Sequence, residues 1–411
     1  MRSGFFPYAA GANISIMKIM GNKRESQPSG PVNRNSGKEK PGGHNRSVAI
    51  WNKLPQLLNL AHYRMRPHQQ EDVLDYEPIH LHVTPCDTHP LIAAMQSRFK
   101  NPADASQIHS SPENPQAESG NKAGKLPGQW MEFENFRFLL EQIPAIRTLE
   151  FSGKTDPFRN ADLLRMVDTA SRFNGAEATI HTTGFLLGMF IDSILKSRLQ
   201  TLVVHIYGHR PSSYGMMSGE SPTRFVAIRD NVARLAARKR VLGSAVEIVL
   251  SMVVDLHNFR QIPEMIRFAE ELGVDGIRFE NYLSPEPGKF SDRTLLTSQA
   301  PVVQFMQELE STIIPTSRIS VTLPTLLSEE MSGNRHCLDP YTTVTVDAEF
   351  NVSGCSRQSL IRGQMSKIWD EDFWNSELYQ WLRNVHGSCA SGVDRSGVPL
   401  PCRSCPRNMP D

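Results

Sequence analysis

The feature that most constrains this chain is a repeated exchange between two hydrophobic periods. From Ile79 to Tyr282, short β-branched runs alternate with longer runs whose apolar residues recur three and four apart. Alternation at period two marks a strand with one buried face, and the longer spacing marks an amphipathic helix. Strands are expected at 79–84, 146–151, 177–182, 201–207, 245–254 and 276–282, with helices at 131–142, 160–174, 184–196, 222–239 and 262–272. In the fourth helix Phe225, Ile228, Val232 and Leu235 form one apolar face, and Gly273 follows Leu272 where the fifth should end. Strand and helix in regular succession predict a parallel sheet with right-handed crossovers. Six units fall short of a closed eight-fold barrel, so the expected fold class is α/β, an open partial (β/α)6 barrel. Ligands of such folds bind outside the carboxyl ends of the strands.

Charge narrows the function classes. The 411 residues carry 44 Lys and Arg against 43 Asp and Glu, a net charge of +1, which argues against a generic nucleic-acid binder. No apolar run approaches the roughly 20 residues of a membrane helix, so no membrane span is expected. The charge is unevenly spread: residues 1–48 hold eight basic groups and two acidic ones. This stretch, rich in Gly, Pro, Ser and Asn, is expected to be a disordered basic tail without a secretory signal, on a cytoplasmic protein. The barrel is assigned to 49–330, with a Pro/Ser/Asn/Gln-rich disordered insertion at about 101–128, and a small cysteine-rich domain to 331–411.

Five of the six cysteines, Cys337, Cys355, Cys389, Cys402 and Cys405, fall near the C-terminus; the sixth is Cys86. Clustered thiols without an export signal point to metal binding more than to disulfides. In Pro401-Cys402-Arg403-Ser404-Cys405-Pro406 a tight turn aims two sulfurs at one metal. Cys337 and Cys355 flank an alternating segment, 341–347, that is expected to pair with 352–355 as an antiparallel hairpin. The hairpin brings both thiols to one edge, where Cys402 and Cys405 complete a tetrad. Buried or unpaired thiols are the plainer account, and Cys389 is either a spare thiol or a substitute ligand. A thiolate tetrad takes Zn(II) or iron–sulfur alike. At the strand ends, segments 84–90, 151–157, 181–184, 204–210 and 278–282 suit a polar ligand. Gly153 and Gly184 are equally well explained as turn residues, and His205 and His209 as loop or core histidines.

Together these segments resemble the radical S-adenosylmethionine (SAM) enzymes with a C-terminal SPASM or twitch auxiliary-cluster domain, from about Pro55 to the C-terminus. Phe151-Ser152-Gly153-Lys154-Thr155-Asp156-Pro157 sits where the family has a Gly-Glu-Pro loop that holds the SAM amino group through backbone atoms. Thr182-Thr183-Gly184 is similar to the family's Thr-Asn-Gly, and 207–219 with Phe225 and Asn231 to its fourth strand and following helix. Cys337-Leu338-Asp339-Pro340-Tyr341, Gly354-Cys355, Ile368-Trp369-Asp370 and Cys402 to Cys405 resemble the SPASM pattern. The resemblance implies a partial TIM-like barrel with Gly153, Asp156, Thr183 and Gly184 as cofactor-binding positions. It also implies one auxiliary 4Fe–4S cluster on Cys337, Cys355, Cys402 and Cys405, and a peptide or protein as substrate or partner.

The departures bear on catalysis. The family holds its SAM cluster with CxxxCxxC after the first strand; Cys86 fits the first position, but Pro90 and Ala93 stand at the others and cannot coordinate iron. His89, with His80 or His82, offers imidazole substitutes. Asp156 replaces the usual glutamate, and Asp347-Ala348-Glu349-Phe350 lacks the family's Asp-Gly turn. Three readings follow: a degenerate radical-SAM-like iron–sulfur protein, an active radical SAM enzyme with unusual ligands, and a zinc-stabilised binding module.

Overall fold

In a computed structural model, the structure describes residues 73–87, 129–153, 155–284, 289–328, 337–355, 366–368, 372–388 and 405. The tail at 1–48, the insertion at 101–128, His89, Pro90, Ala93, Cys389 and Cys402 lie outside the described residues. The strands are β1 (His80–Val83), β2 (Cys86–Asp87), β3 (Gln129–Trp130), β4 (Thr148–Phe151), β5 (Glu177–Thr182), β6 (Thr201–His205), β7 (Glu247–Val254), β8 (Gly276–Asn281), β9 (Ser320–Thr322), β10 (Thr343–Val346), β11 (Asn351–Ser353) and β12 (Ser366–Lys367). The helices are α1 (Phe133–Gln142), α2 (Leu163–Phe173), α3 (Ile191–Lys196), α4 (Pro211–Ser218), α5 (Pro222–Leu242), α6 (Ile262–Leu272), α7 (Ala300–Glu308) and α8 (Glu377–Ser388).

Ten strands make one sheet in the order β12-β11-β10-β1-β4-β5-β6-β7-β8-β9, while β2 and β3 pair separately. The six neighbours β1 and β4 to β8 are parallel, and they are the six strands that the periodicity predicts. The sheet is open, as an incomplete barrel should be. It is also longer than six strands, because β9 joins parallel beside β8 and β10 joins parallel beside β1. Neither α4 nor β9 has a readable pattern: α4 is Pro-Ser-Ser-Tyr-Gly-Met-Met-Ser, and β9 is three residues with one apolar member.

Alternation along the strands separates the two faces. Leu81, Val83, Leu149, Phe151, Ile180, Leu202, Leu250 and Ile277 join the helices in a single core with Phe136 and Leu139 of α1, Met166 of α2, Ile228 and Val232 of α5 and Met265 of α6. The residues between them face the other way and are largely polar. α5 runs 21 residues because Pro222 starts it behind the Ser221 cap, whose hydroxyl accepts from Arg224 N–H. α6 ends at Gly273 in the left-handed region, φ 72°, where the sequence places its stop. Among the described residues no helix is long and apolar enough to cross a membrane.

The expected antiparallel hairpin is β10–β11. Its turn lacks glycine, yet Asp347 Oδ1 accepts from the backbone N–H of Glu349 and Asn351, both at 2.9 Å. Those bonds hold Phe350 at φ 65° with its ring in the core, so a bulky residue occupies the position glycine usually fills. Ile79 N–H to Thr342 O (2.9 Å) and Thr84 N–H to Val346 O (2.9 Å) stitch the hairpin to β1. Asn375 adds a second tie, accepting from Leu74 N–H at 2.8 Å and donating to Leu74 O at 3.0 Å.

Candidate functional site

Asp156 organises the carboxyl ends of β4 and β5. Its Oδ2 accepts from Thr182 Oγ1 (2.8 Å), Thr183 N–H (3.0 Å) and Thr183 Oγ1 (2.6 Å), and its Oδ1 from Phe158 N–H (3.1 Å). Four donors on one carboxylate make it a clamp between two loops. Gly184 follows directly, its N–H on Thr182 Oγ1 at 3.1 Å. It requires glycine: φ is 83°, and a Cβ would stand 2.8 Å from Val204 Cγ1 and 3.0 Å from Ile228 Cγ2. Asn231 of α5 holds the same loop by donating to Gly184 O (3.2 Å) and Phe185 O (2.9 Å). At Gly153 a Cβ would meet Thr84 Cγ2 at 2.6 Å, so the β4 loop lies flush on the end of β1. Asp156, Thr183 and Gly184 are therefore brought together, with Gly153 on the same loop as Asp156.

Cys86 sits beside this clamp, buried, on the short β2–β3 ladder where it pairs with Trp130. Thr155 Oγ1 donates to Cys86 O (2.9 Å) and lies 2.8 Å from Cys86 Sγ, and the Cys86 thiol donates to Asp156 O at 3.5 Å. A sulfur that donates is a protonated thiol, whereas a metal ligand is a thiolate.

Of the four C-terminal thiols proposed as ligands, Cys337, Cys355 and Cys405 are described, all half-buried and none in a disulfide. Burial pushes the Cys337 thiol well up, and Asp339, Cys405 and Cys355 push it further against an opposing Asp339 backbone hydrogen bond. Thiolates raise one another's pKa by repulsion, and a cation relieves that repulsion. Among the described residues no group of three or more His, Cys, Asp or Glu side chains stands where together they could hold a metal ion. The chemistry of the three thiols suits a thiophilic metal or cluster, with Cys402 beyond the described residues.

The face of the sheet away from the helices carries a row that sequence reasoning missed. Register aligns Thr345 with His82, His82 with Glu150, and His205 with Ser251 and Arg278. His181 Nε2 lies 3.3 Å from Glu150 Oε1, and His181 Nδ1 lies 3.0 Å from His205 Nε2 and 3.4 Å from Arg278 Nη2. A guanidinium only donates, so His181 Nδ1 must accept, and its proton sits on Nε2 toward Glu150. His205, expected as a loop or core histidine, closes β6 stacked on His181 with ring centroids 5.2 Å apart. The available signal was polar residues at i and i+2 within strands whose other residues are apolar.

This row predicts acid lability. Burial, then the charges of His205, Arg278 and His82, push His181 down from 6.5 to about 2. Burial, with help from Arg278, also lowers His205 against the pull of Glu280, Glu150 and Asp156. Below 6.5 the unfolded chain binds a proton at His181 that the fold refuses, so stability present above 6.5 is lost as pH falls. At about 1.4 kcal/mol per pH unit, the loss between pH 6.5 and 5 is about 2 kcal/mol, measured by urea denaturation. His181→Gln is expected to flatten that slope; equal slopes in the two proteins would contradict the assignment.

No family model matches the chain. It is similar to the tungsten-containing aldehyde ferredoxin oxidoreductase cofactor-modifying protein of Pyrococcus furiosus, 23% identical over 280 residues, which cover 62% of this chain and 75% of that protein. Its fold is similar to Streptococcus suis SuiB bound to S-adenosylmethionine, with a TM-score of 0.53, 14% identity, and coverage of 84% of this chain and 74% of SuiB. SuiB bound to the precursor peptide SuiA aligns with a TM-score of 0.55 at 13% identity, over 92% of this chain and 78% of SuiB. At these identities the likeness is one of fold. The solved neighbours are radical SAM/SPASM enzymes, and the open barrel of this chain is the fold that its sequence resemblance to them implies.

Proposed function

We propose that the chain is a radical-SAM-like iron–sulfur protein with a peptide or protein partner, degenerate at the SAM cluster and carrying one auxiliary 4Fe–4S cluster on Cys337, Cys355, Cys402 and Cys405. The observation that carries the reading is Cys86. The one thiol at the SAM-cluster position is buried against Thr155 and Asp156 O, and Pro90 and Ala93 stand at the other two cluster positions. The Asp156 carboxylate is committed to Thr182 and Thr183, so on this reading it acts as a positioning residue for Thr183 and Gly184. The sequence pattern of Cys337, Cys355, Cys402 and Cys405 supports the auxiliary cluster. SuiB, similar in fold, has been solved with a precursor peptide, which supports a peptide partner here.

Anaerobic reconstitution followed by iron and sulfide counting and a 5′-deoxyadenosine assay tests the proposal. About four irons per chain without SAM cleavage is the expected result. About eight irons with cleavage would mean an active enzyme with unusual ligands. A colourless protein holding zinc would mean a structural tetrad instead.

A further inference from the structure

We propose that the concave face of the sheet around Glu150 binds an organic cation, an ammonium or guanidinium group presented by the ligand. The inference deepens the peptide-partner reading and rests on it only for the source of that cation. It begins from the charges on the row. Arg278 Nε lies 3.2 Å from Glu280 Oε1, and Ser251 Oγ donates to the same oxygen at 2.7 Å, so Glu280 is compensated within the row. Glu150 is not. Among the described residues, the basic side chains within ion-pair distance of it are the imidazoles of His181 at 3.3 Å and His82 at 3.6 Å. His181 is neutral, because its Nδ1 must accept from Arg278. His82 Nε2 is closer to Ser152 Oγ, at 2.5 Å. Glu150 therefore receives a dipole from His181 where a carboxylate would be better served by a full charge.

Two further observations point to a ligand. The Glu150 side chain is 47% exposed, unlike the imidazoles beside it, so a solute reaches it directly. Two strands away, on the same face by register, Thr345 is 7% exposed and its hydroxyl has no hydrogen-bond partner among the described residues. Buried hydroxyls are ordinarily satisfied, so this one marks a place where a bound group or water completes the site. A ligand with its cationic nitrogen at Glu150 and a polar atom near Thr345 would span β10, β1 and β4, roughly 10 Å at the spacing of neighbouring strands. An anion there would face Glu150, and an apolar group would leave both polar atoms unmet.

The test uses the full-length protein and three probes: a blocked Gly-Lys-Gly peptide, its norleucine counterpart, and butylammonium. Titration calorimetry is expected to show the lysine peptide binding at least about tenfold more tightly than the norleucine peptide. In Glu150→Gln that ratio is expected to fall to about one, while Glu150→Asp keeps part of it and guards against a simple folding defect. Binding of butylammonium as well as the peptide sustains the site and identifies a free amine as a second source. Equal affinities for the lysine and norleucine peptides in the unaltered protein overturn the proposal, as does no binding of either cation. Competitive displacement of the lysine peptide by SAM, itself a cation, also overturns it by assigning Glu150 to the cofactor. Iron content and 5′-deoxyadenosine formation are read separately. Cation discrimination with zinc in place of iron would sink the proposed function and leave this site standing.

Discussion

Arg383→Ala is expected to destabilise the protein by about 3–5 kcal/mol, a larger loss than from most single substitutions. Arg383 is 1% exposed, and each of its guanidinium nitrogens donates: Nε to Pro340 O (2.9 Å), Nη1 to Asn375 Oδ1 (2.8 Å) and Nη2 to Trp374 O (2.7 Å). The group also lies 4.6 Å from the Trp374 ring centroid and 5.2 Å from that of Tyr379. Burial lowers its pKa to about 10, which leaves it charged at neutral pH. Alanine would strand two buried carbonyls, each costing about 1–3 kcal/mol, and open a cavity beneath the tryptophan. The loss would not stay local, because Asn375 also holds Leu74 and Tyr379 O–H reaches Thr343 O and Ser353 O across β10 and β11. Arg383→Met should recover the packing and little of the hydrogen bonding, and Arg383→Lys should do poorly because an ammonium lacks the planar fork. Urea denaturation followed by tryptophan fluorescence measures all three. A loss below about 1 kcal/mol for alanine would mean that water replaces the guanidinium.

Neither Arg383 nor the polar row was read from the sequence, and for related reasons. β1 and β4 were legible because Leu81 and Val83, and Leu149 and Phe151, alternate with polar residues at a strict period of two. The same alternation carries the row on the opposite face, but one strand's polar residues say nothing about their neighbours until the register is known. Glu150 meets His181 only because β4 and β5 pair with Glu150 opposite Thr179, placing His181 one step along on the same face. The family resemblance picked out Gly153, Asp156, Thr183 and Gly184 in the strand-end loops, yet the inward commitment of the Asp156 carboxylate depends on four distances that no motif contains. β10 was legible as half of a hairpin. Its parallel seat beside β1 was not, since that pairing joins residues more than 250 positions apart. A loop closure of that length leaves no local trace in composition or spacing.

Cys337→Ser, on the proposed function, is expected to remove the iron and cost several kcal/mol of stability in the C-terminal region, because metal binding there is folding energy. Burial, and then the charges of Asp339, Cys405 and Cys355, already push the Cys337 thiol up. Serine removes the soft ligand and leaves its oxygen in the same half-buried place, so the variant separates coordination from packing. Cys86→Ser is the necessary contrast. Its oxygen can still hydrogen-bond with Thr155, whose hydroxyl lies 2.8 Å from the sulfur, so iron content should not change and the stability cost should stay below about 1 kcal/mol. Iron per chain, visible absorbance before and after dithionite, and thermal midpoints of the two variants decide the assignment together. Iron lost from Cys86→Ser and retained in Cys337→Ser would reverse it, moving the cluster from the C-terminal thiols to the end of β1. That result would also mean that the Thr155–Cys86 hydrogen bond gives way when metal arrives. The side chain that now looks most structural would then be the one that changes most on loading.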